Sequence, residues 1–284
     1  MRRLATRIGS VVVGLEATPD DILAPWEPFL RRFAVAAPPH VTIRVREDRE
    51  VDWPRFAREM EGLQGFGSPG TPRGETVRVA GEGRELDVRV PPGALAPPRA
   101  PGQPRLVNIL LSAAFNLGRR AAGVDEVLLH ACGVSDGGAA CLFVGPSGAG
   151  KSTLARIAGA ERLLHDEALV LGRSPDGTIV VQATPLAGDL PGRVPGPLAV
   201  GRLIVLEHGT RDTVSPLVPA DLVHQLLPQV FLTSPPFPGD PEKLTDLEER
   251  LGWAVTLAER IPGGRLAFRP GPPALELALS HPLR

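Results

Sequence analysis

The order of apolar and polar positions gives the first ninety residues a regular alternation. Short β-branched runs such as Ser10–Val13, His40–Val45 and Leu86–Val90 are typical of strands. Between them, Ile22–Phe33 has the spacing of an amphipathic segment. The alternation predicts a small α/β unit over residues 1–92. We find no chemical motif in it, and substrate docking is our hypothesis for its role.

A segment dense in proline and glycine follows this unit and predicts a domain boundary. The run PPGALAPPRAPGQP favours an extended connector of polyproline character. We therefore predict a linker over residues 93–104 and a second domain over residues 105–284.

The second domain repeats the alternation of strand-like and helix-like patterns, which predicts the α/β class for the whole chain. The predicted elements around its main motif are helix Arg105–Ala122, strands Glu126–Val134 and Ala139–Val144, helix Lys151–Ala158 and strand Arg162–Leu171. Further on, Pro185–Pro197 is rich in glycine and proline and predicts a mobile loop.

Composition excludes several kinds of partner. Thirty-one Lys and Arg residues oppose 32 Asp and Glu residues, so no global field attracts nucleic acid or an anionic membrane. Any bound anion must be held by a local site. Cys132 and Cys141 match neither a disulfide framework nor a metal spacing, and no apolar run approaches the roughly 20 residues of a membrane span. These features predict a cytoplasmic protein.

One glycine-rich segment carries a specific chemistry. It fits the Walker A, or P-loop, pattern G-x-x-x-x-G-K-[ST] between a predicted strand and a predicted helix. Glycines let backbone N–H groups surround a phosphate, Lys151 supplies a cation for the β and γ oxygens, and the Ser152 hydroxyl suits Mg²⁺. The residues predicted to bind the nucleotide are Gly145, Pro146, Ser147, Gly148, Ala149, Gly150, Lys151, Ser152 and Thr153.

Two consecutive acids follow this motif closely. Fifteen positions separate Lys151 from Asp166, which leaves room for a helix of about two to three turns and an immediate return strand. The return would bring Asp166 and Glu167 near the γ-phosphate. Neighbours on a strand point to opposite faces unless the strand bends. One acid could accept a hydroxyl proton while the other holds Mg²⁺, and the sequence leaves the assignment open.

A third acid supports a rival prediction. Arg202–Leu206 is an apolar strand that ends at Glu207, an arrangement typical of the Mg²⁺-holding acid in motor ATPases. The alternative function is therefore a P-loop ATPase or a nucleotide-sensing switch that uses Glu207. Taking both predictions together, the candidate Mg²⁺ ligands are Ser152, Glu167 and Glu207.

These motifs, together with Leu128-Leu129-His130-Ala131 before the P-loop and Leu163-Leu164-His165-Asp166-Glu167 after it, resemble the HPr kinase/phosphorylase family and its peptide-modifying relatives. That family is similar in fold to ATP-dependent phosphoenolpyruvate carboxykinase. The resemblance implies ATP, Mg²⁺ and transfer of the γ-phosphoryl group to a hydroxyl, on a serine of a protein or peptide or on a small molecule. It also implies a homo-oligomer and a role for His130 near the γ-phosphate. The expected catalytic residues are His130, Lys151, Asp166 and Glu167.

Overall fold

The computed structural model describes residues 2–19, 21–54, 56, 77–80, 84–95, 106–190, 192, 194, 196–231, 242–269 and 271–283. It is a mixed α/β protein, which confirms the predicted class. The chain forms two compact units, one of residues 1–125, 185–187 and 232–246 and the other of residues 126–184, 188–231 and 247–284. Within the described residues, no helix has the length and apolar character needed to cross a membrane.

The first unit is built on a sheet that has five strands in the part of the chain described. These are β1 (Arg2–Ile8), β2 (Val11–Thr18), β3 (Val41–Glu47), β4 (Val77–Ala80) and β5 (Glu85–Val90), in the order β1-β2-β3-β5-β4. The inner pairs β2/β3 and β3/β5 are parallel, and the outer pairs are antiparallel. A short helix, α1 (Glu27–Arg31), lies between β2 and β3 in the chain.

Helix α2 (Leu106–Ala122) packs against this sheet and belongs to the first unit. The sequence pattern predicts it in the second domain, which is wrong for this helix. The physical reason for the difference is a close approach at Gly118, where an added Cβ would lie 2.6 Å from Val11 Cγ1 and 3.1 Å from Val41 Cγ1. The helix itself is predicted correctly over its described length. Residues 96–104 of the predicted linker lie outside the described part of the chain.

The second unit holds a larger sheet. Its strands are β6 (Val127–Leu129), β7 (Cys132–Asp136), β8 (Ala139–Val144), β9 (Leu163–His165), β10 (Leu169–Arg173), β11 (Ile179–Ala183), β12 (Leu198–His208), β13 (Thr213–Pro216), β14 (Val230–Phe231) and β15 (Gly263–Phe268). The path is β14-β6-β10-β11-β12-β8-β7-β9, with β15 beside β12 and β13 beside β15. The helices are α3 (Lys151–Ala158), α4 (Pro219–Leu226), α5 (Glu242–Arg260, of which this unit takes residues from 247) and α6 (Pro272–Ser280).

Two strands predicted as continuous are each split in two, and the splits lie side by side. Glu126–Val134 divides into β6 and β7 around residues 130–131, and Arg162–Leu171 divides into β9 and β10 around residues 166–168. The reason is a change of partner, because β6 pairs with β10 whereas β7 pairs with β9. Leu129 lies opposite Leu169 and Gly133 opposite His165, so the two breaks face each other.

The topology brings one sheet edge to the P-loop. Strand β8 runs directly into the loop, β7 is antiparallel to β8, and β9 is antiparallel to β7. Strand β9 is therefore parallel to β8 and ends at the same edge. Helix α3 makes the crossover, and buried side chains fix it to the sheet. Those side chains are Cys132, Val134, Cys141, Phe143, Leu154, Ala155, Ile204 and Leu206. Both cysteines are free, as their spacing predicts.

Candidate functional site

The P-loop, Gly145–Ser152, joins β8 to α3, and its tip is open to solvent. Gly148 and Gly150 have φ angles of 82° and 106°, which side-chain-bearing residues rarely adopt. Gly150 also lies against Phe268, whose Cζ would be 2.5 Å from an added Cβ. These glycines therefore allow a tight turn immediately before Lys151, the first residue of α3. An exposed loop of backbone amides at a helix N-terminus is a favourable place for an anion.

Lys151 begins α3, and its side chain folds back into the loop. Its Nζ donates hydrogen bonds to the carbonyl oxygens of Gly145 at 2.7 Å and Pro146 at 3.2 Å. Burial lowers the pKa of Lys151, while the charge of Glu167 acts in the opposite direction. The cation is thus held among loop carbonyls and close to one carboxylate. The next two residues, Ser152 and Thr153, are half-buried in the first turn of α3.

The first acid of the pair points inward. Asp166 is 3% exposed, and its Oδ2 accepts hydrogen bonds from the backbone N–H groups of Asp189 at 3.0 Å and Leu190 at 3.1 Å. Its Oδ1 has no hydrogen-bond partner among the residues described. Burial raises the pKa of Asp166, the two backbone amides lower it, and the charge of Asp189 raises it. Asp166 is a buried carboxyl group held by one loop.

The second acid is exposed and lies in a bend of the backbone. The Nδ1 atom of His165 accepts hydrogen bonds from the backbone N–H groups of Glu167 at 3.0 Å and Ala168 at 3.2 Å. These bonds fix the bend at residues 166–168, and Glu167 is exposed. The two acids therefore differ in surroundings as well as in direction.

His130 lies at the other strand break. Its backbone N–H donates to the carbonyl oxygen of Gln229 at 2.8 Å. Burial and the charge of Lys151 lower the pKa of His130 to about 4, while a side-chain contact with Gln229 acts in the opposite direction. The imidazole is therefore neutral at pH 7 and can donate from one ring nitrogen and accept at the other.

The strand register and the charge interactions together indicate which predicted residues lie near one another. The charge of Lys151 lowers the pKa of His130, and the charge of Glu167 raises the pKa of Lys151. The charges of Lys151 and Asp166 both influence the pKa of Cys132. The structure thus brings together four predicted residues, His130, Lys151, Asp166 and Glu167, at the edge where the P-loop begins.

Glu207 does not join this group. Strand β12 is parallel to β8, and Leu206 faces the loop, since an added Cβ at Gly145 would lie 3.6 Å from Leu206 Cβ. Successive strand residues point to opposite faces, so Glu207 points away from that side. Its carboxylate makes an ion pair with Arg265 at 3.2 Å, and its side chain is 47% exposed.

Two parts of this arrangement were missed by sequence reasoning. The Gly188–Leu190 segment lies in the predicted mobile loop, yet its amides hold Asp166. Gln229, 8% exposed, contacts His130 from the turn that follows α4. Glycine density marked the loop, but no sequence pattern indicates where backbone N–H groups will point.

Comparison with known proteins gives no assignment: no protein-family model matches the chain, and no curated protein matches it. The chemistry of the site must be inferred from the chain's own residues and their positions.

Proposed function

We propose that the chain is an ATP-dependent kinase with a P-loop core of the HPr kinase and phosphoenolpyruvate carboxykinase type in its second unit. It transfers the γ-phosphoryl group of ATP to a hydroxyl of a protein, a peptide or a small molecule. One observation carries the proposal. A buried lysine at the start of a helix, inside a glycine loop, lies beside a bend that carries two carboxyl groups.

The loop supplies the groups that a triphosphate needs. Its tip, residues 146–148, is exposed next to the N-terminus of α3, and Lys151 can exchange its two carbonyl partners for phosphate oxygens. Mg²⁺, held through the Ser152 hydroxyl, would neutralise charge on the phosphates. This ion usually takes one or two protein oxygens and fills its other positions with phosphate and water. The loop therefore fits it, although the described residues contain no group of three or more His, Cys, Asp or Glu side chains placed to hold a metal.

The carboxyl pair favours transfer to a hydroxyl over hydrolysis by a motor-type ATPase. A kinase needs a proton acceptor beside the γ-phosphate, and the bend supplies a carboxylate close to Lys151. The ATPase alternative needs Glu207 at the phosphates, but Glu207 pairs with Arg265 on the other face of the sheet. Neutral His130 adds a hydrogen-bonding group near Lys151.

Labelled ATP tests the proposal. The protein is incubated with Mg²⁺, γ-labelled ATP and separated pools of proteins, peptides and metabolites, and the label is followed. We expect label on one acceptor pool, and loss of that label in the Lys151→Ala variant. Lys243→Ala, which changes the other lysine of the chain, is the matched control and should keep activity. Label released only to water would favour the ATPase function over the kinase function. Absence of both transfer and nucleotide binding would overturn the proposal.

A further inference from the structure

The two carboxyl groups of the bend differ in how open their oxygens are to a ligand. Both oxygens of Asp166 are covered by one segment of chain. Two amides occupy Oδ2, and Gly188 lies so close to Oδ1 that an added Cβ would be 1.9 Å from that atom. A hydroxyl or phosphoryl group cannot enter between Asp166 and this segment while it stays in place.

The Gly188–Leu190 segment is part of a longer run that comes after β11 in the chain and lies alongside β9. Beyond it, the backbone N–H of Val194 donates to the carbonyl oxygen of Leu163 at 3.2 Å, and an added Cβ at Gly192 would lie 2.3 Å from the carbonyl oxygen of Leu164. Asp166 follows β9 directly. Its two hydrogen bonds hold the backbone of Asp189 and Leu190 at the strand terminus.

Glu167 has the opposite character. It is exposed, its backbone N–H is held by the ring of His165, and its charge acts on Lys151. An exposed carboxylate on a fixed backbone can approach a ligand while the Gly188–Leu190 segment stays in place.

We propose that the two acids have separate roles: Asp166 is a positioning residue that anchors the Gly188–Leu190 segment at the site, and Glu167 is the carboxylate that takes the proton of the acceptor. This inference rests on the proposed kinase function. In the step, the acceptor oxygen forms a bond to the γ-phosphorus and the bond from that phosphorus to the β–γ bridging oxygen breaks. ADP leaves with the bond electrons, and the hydroxyl proton passes to Glu167.

Backbone hydrogen exchange tests the anchor without any assay of activity. Asp166→Asn keeps a side-chain oxygen that can accept from both amides, whereas Asp166→Ala removes it. We expect the amides of Asp189 and Leu190 to exchange about tenfold or more faster in Asp166→Ala, and close to the wild-type rate in Asp166→Asn. Glu167→Gln should leave both rates unchanged. Equal protection in the wild type and in Asp166→Ala would overturn the anchor role.

Transfer kinetics test the division of roles. Glu167→Gln should lower kcat by about 10² or more with KM for ATP nearly unchanged, as expected for loss of a positioned proton acceptor. Asp166→Asn should keep kcat within about tenfold of the wild type, because the anchor survives, while Asp166→Ala should lose more. Rescue by the conservative variant distinguishes positioning from proton transfer. A large loss in Asp166→Asn with little loss in Glu167→Gln would assign the proton to Asp166 instead.

Gly188→Ala gives an independent variant should Asp166→Ala fail to fold. The added methyl group must displace Asp166 Oδ1, so the same two amides should lose protection, and unchanged rates would count against the anchor. Failure of the kinase proposal is separately visible. If the wild-type protein transfers no label from ATP, the proposed role of Glu167 is wrong. The exchange rates of the two amides still decide whether Asp166 anchors the segment.

Discussion

Charged side chains have opposite surroundings in the two units of the chain: they are paired in the first unit and buried around the P-loop of the second. On the sheet of the first unit, the Arg44 guanidinium donates hydrogen bonds to Glu16 at 3.1 Å and to both oxygens of Glu85 at 2.6 and 2.9 Å. These contacts raise the pKa of Arg44 and lower that of Glu85, so each partner favours the charged form of the other. Beside them, Arg89 pairs with Asp48.

Around the P-loop of the second unit, the charged forms are disfavoured. Burial is the largest influence on Lys151, Asp166 and His130, lowering the pKa of the lysine and the histidine and raising that of the aspartate. A fold selected for stability alone would pair or expose such groups, as the first unit does. Buried groups whose pKa values are shifted mark a candidate functional site.

The sharpest test of this contrast is nucleotide-dependent stability. At Mg-ATP about 100 times above Kd, the wild type should gain about 2.7 kcal/mol of unfolding free energy, because the ligand binds only the folded state. Lys151→Ala should lose most of that gain, measured as the shift of the denaturation midpoint with and without Mg-ATP. Arg44→Met in the first unit should keep the full shift.

An equal shift in wild type and Lys151→Ala would show that the buried lysine does not contact the nucleotide. If Arg44→Met also lost the shift, a paired surface charge of the first unit would be coupled to nucleotide binding. The two units would then not differ in this respect.

The pH dependence of stability tests the buried histidine. The pKa of His130 is about 4 in the folded state against an ordinary 6.5, so the unfolded chain takes up the proton first as the pH falls. This contribution to the free energy of unfolding is complete above pH 6.5 and is lost as the pH falls towards 4, and it amounts to about 3 kcal/mol. Asp166 acts in the opposite sense, because its raised pKa makes the folded state bind its proton first.

Comparison with His130→Gln removes the contribution of Asp166, which both proteins share. Urea unfolding at pH 7, 6, 5 and 4.5 should show the wild type losing more stability than the variant at each step down. Parallel curves for the two proteins would mean that His130 is well solvated in the folded state.

The two units also differ in how much of their structure can be predicted from the sequence. The P-loop, helix α3 and the return of Asp166 and Glu167 to its edge could be predicted, because their spacing leaves the chain few other paths. The breaks at residues 130–131 and 166–168 could not, since they arise from exchanges of strand partner that leave no local signal. The same holds for α2, whose apolar face fits either sheet until the close approach at Gly118 is known.

Packing should matter more than charge in the first unit. Gly118→Ala puts a Cβ 2.6 Å from Val11 Cγ1, and overpacking of this kind costs about 1–3 kcal/mol, partly offset by a gain of about 1 kcal/mol in helix propensity. We expect net destabilisation of about 1 kcal/mol by urea unfolding. Gly252→Ala in α5 is the matched control. It meets nothing within 4 Å and should stabilise by up to about 1 kcal/mol. Stabilisation by both substitutions would contradict the close packing of α2.

The smallest effect should come from Arg44 itself. Its side chain is 31% exposed and its partner Glu85 is 35% exposed, so water and salt screen the attraction. Exposed ion pairs of this kind contribute about 1 kcal/mol or less, and the Arg44→Met variant keeps an aliphatic chain over the sheet. We expect Arg44→Met to lose unfolding free energy of that size in low salt. In 0.5 M salt the loss should fall to roughly a third of its low-salt value. A loss several times larger that salt leaves unchanged would show that this network organises the sheet, and the first unit would then depend on its charges as the second does.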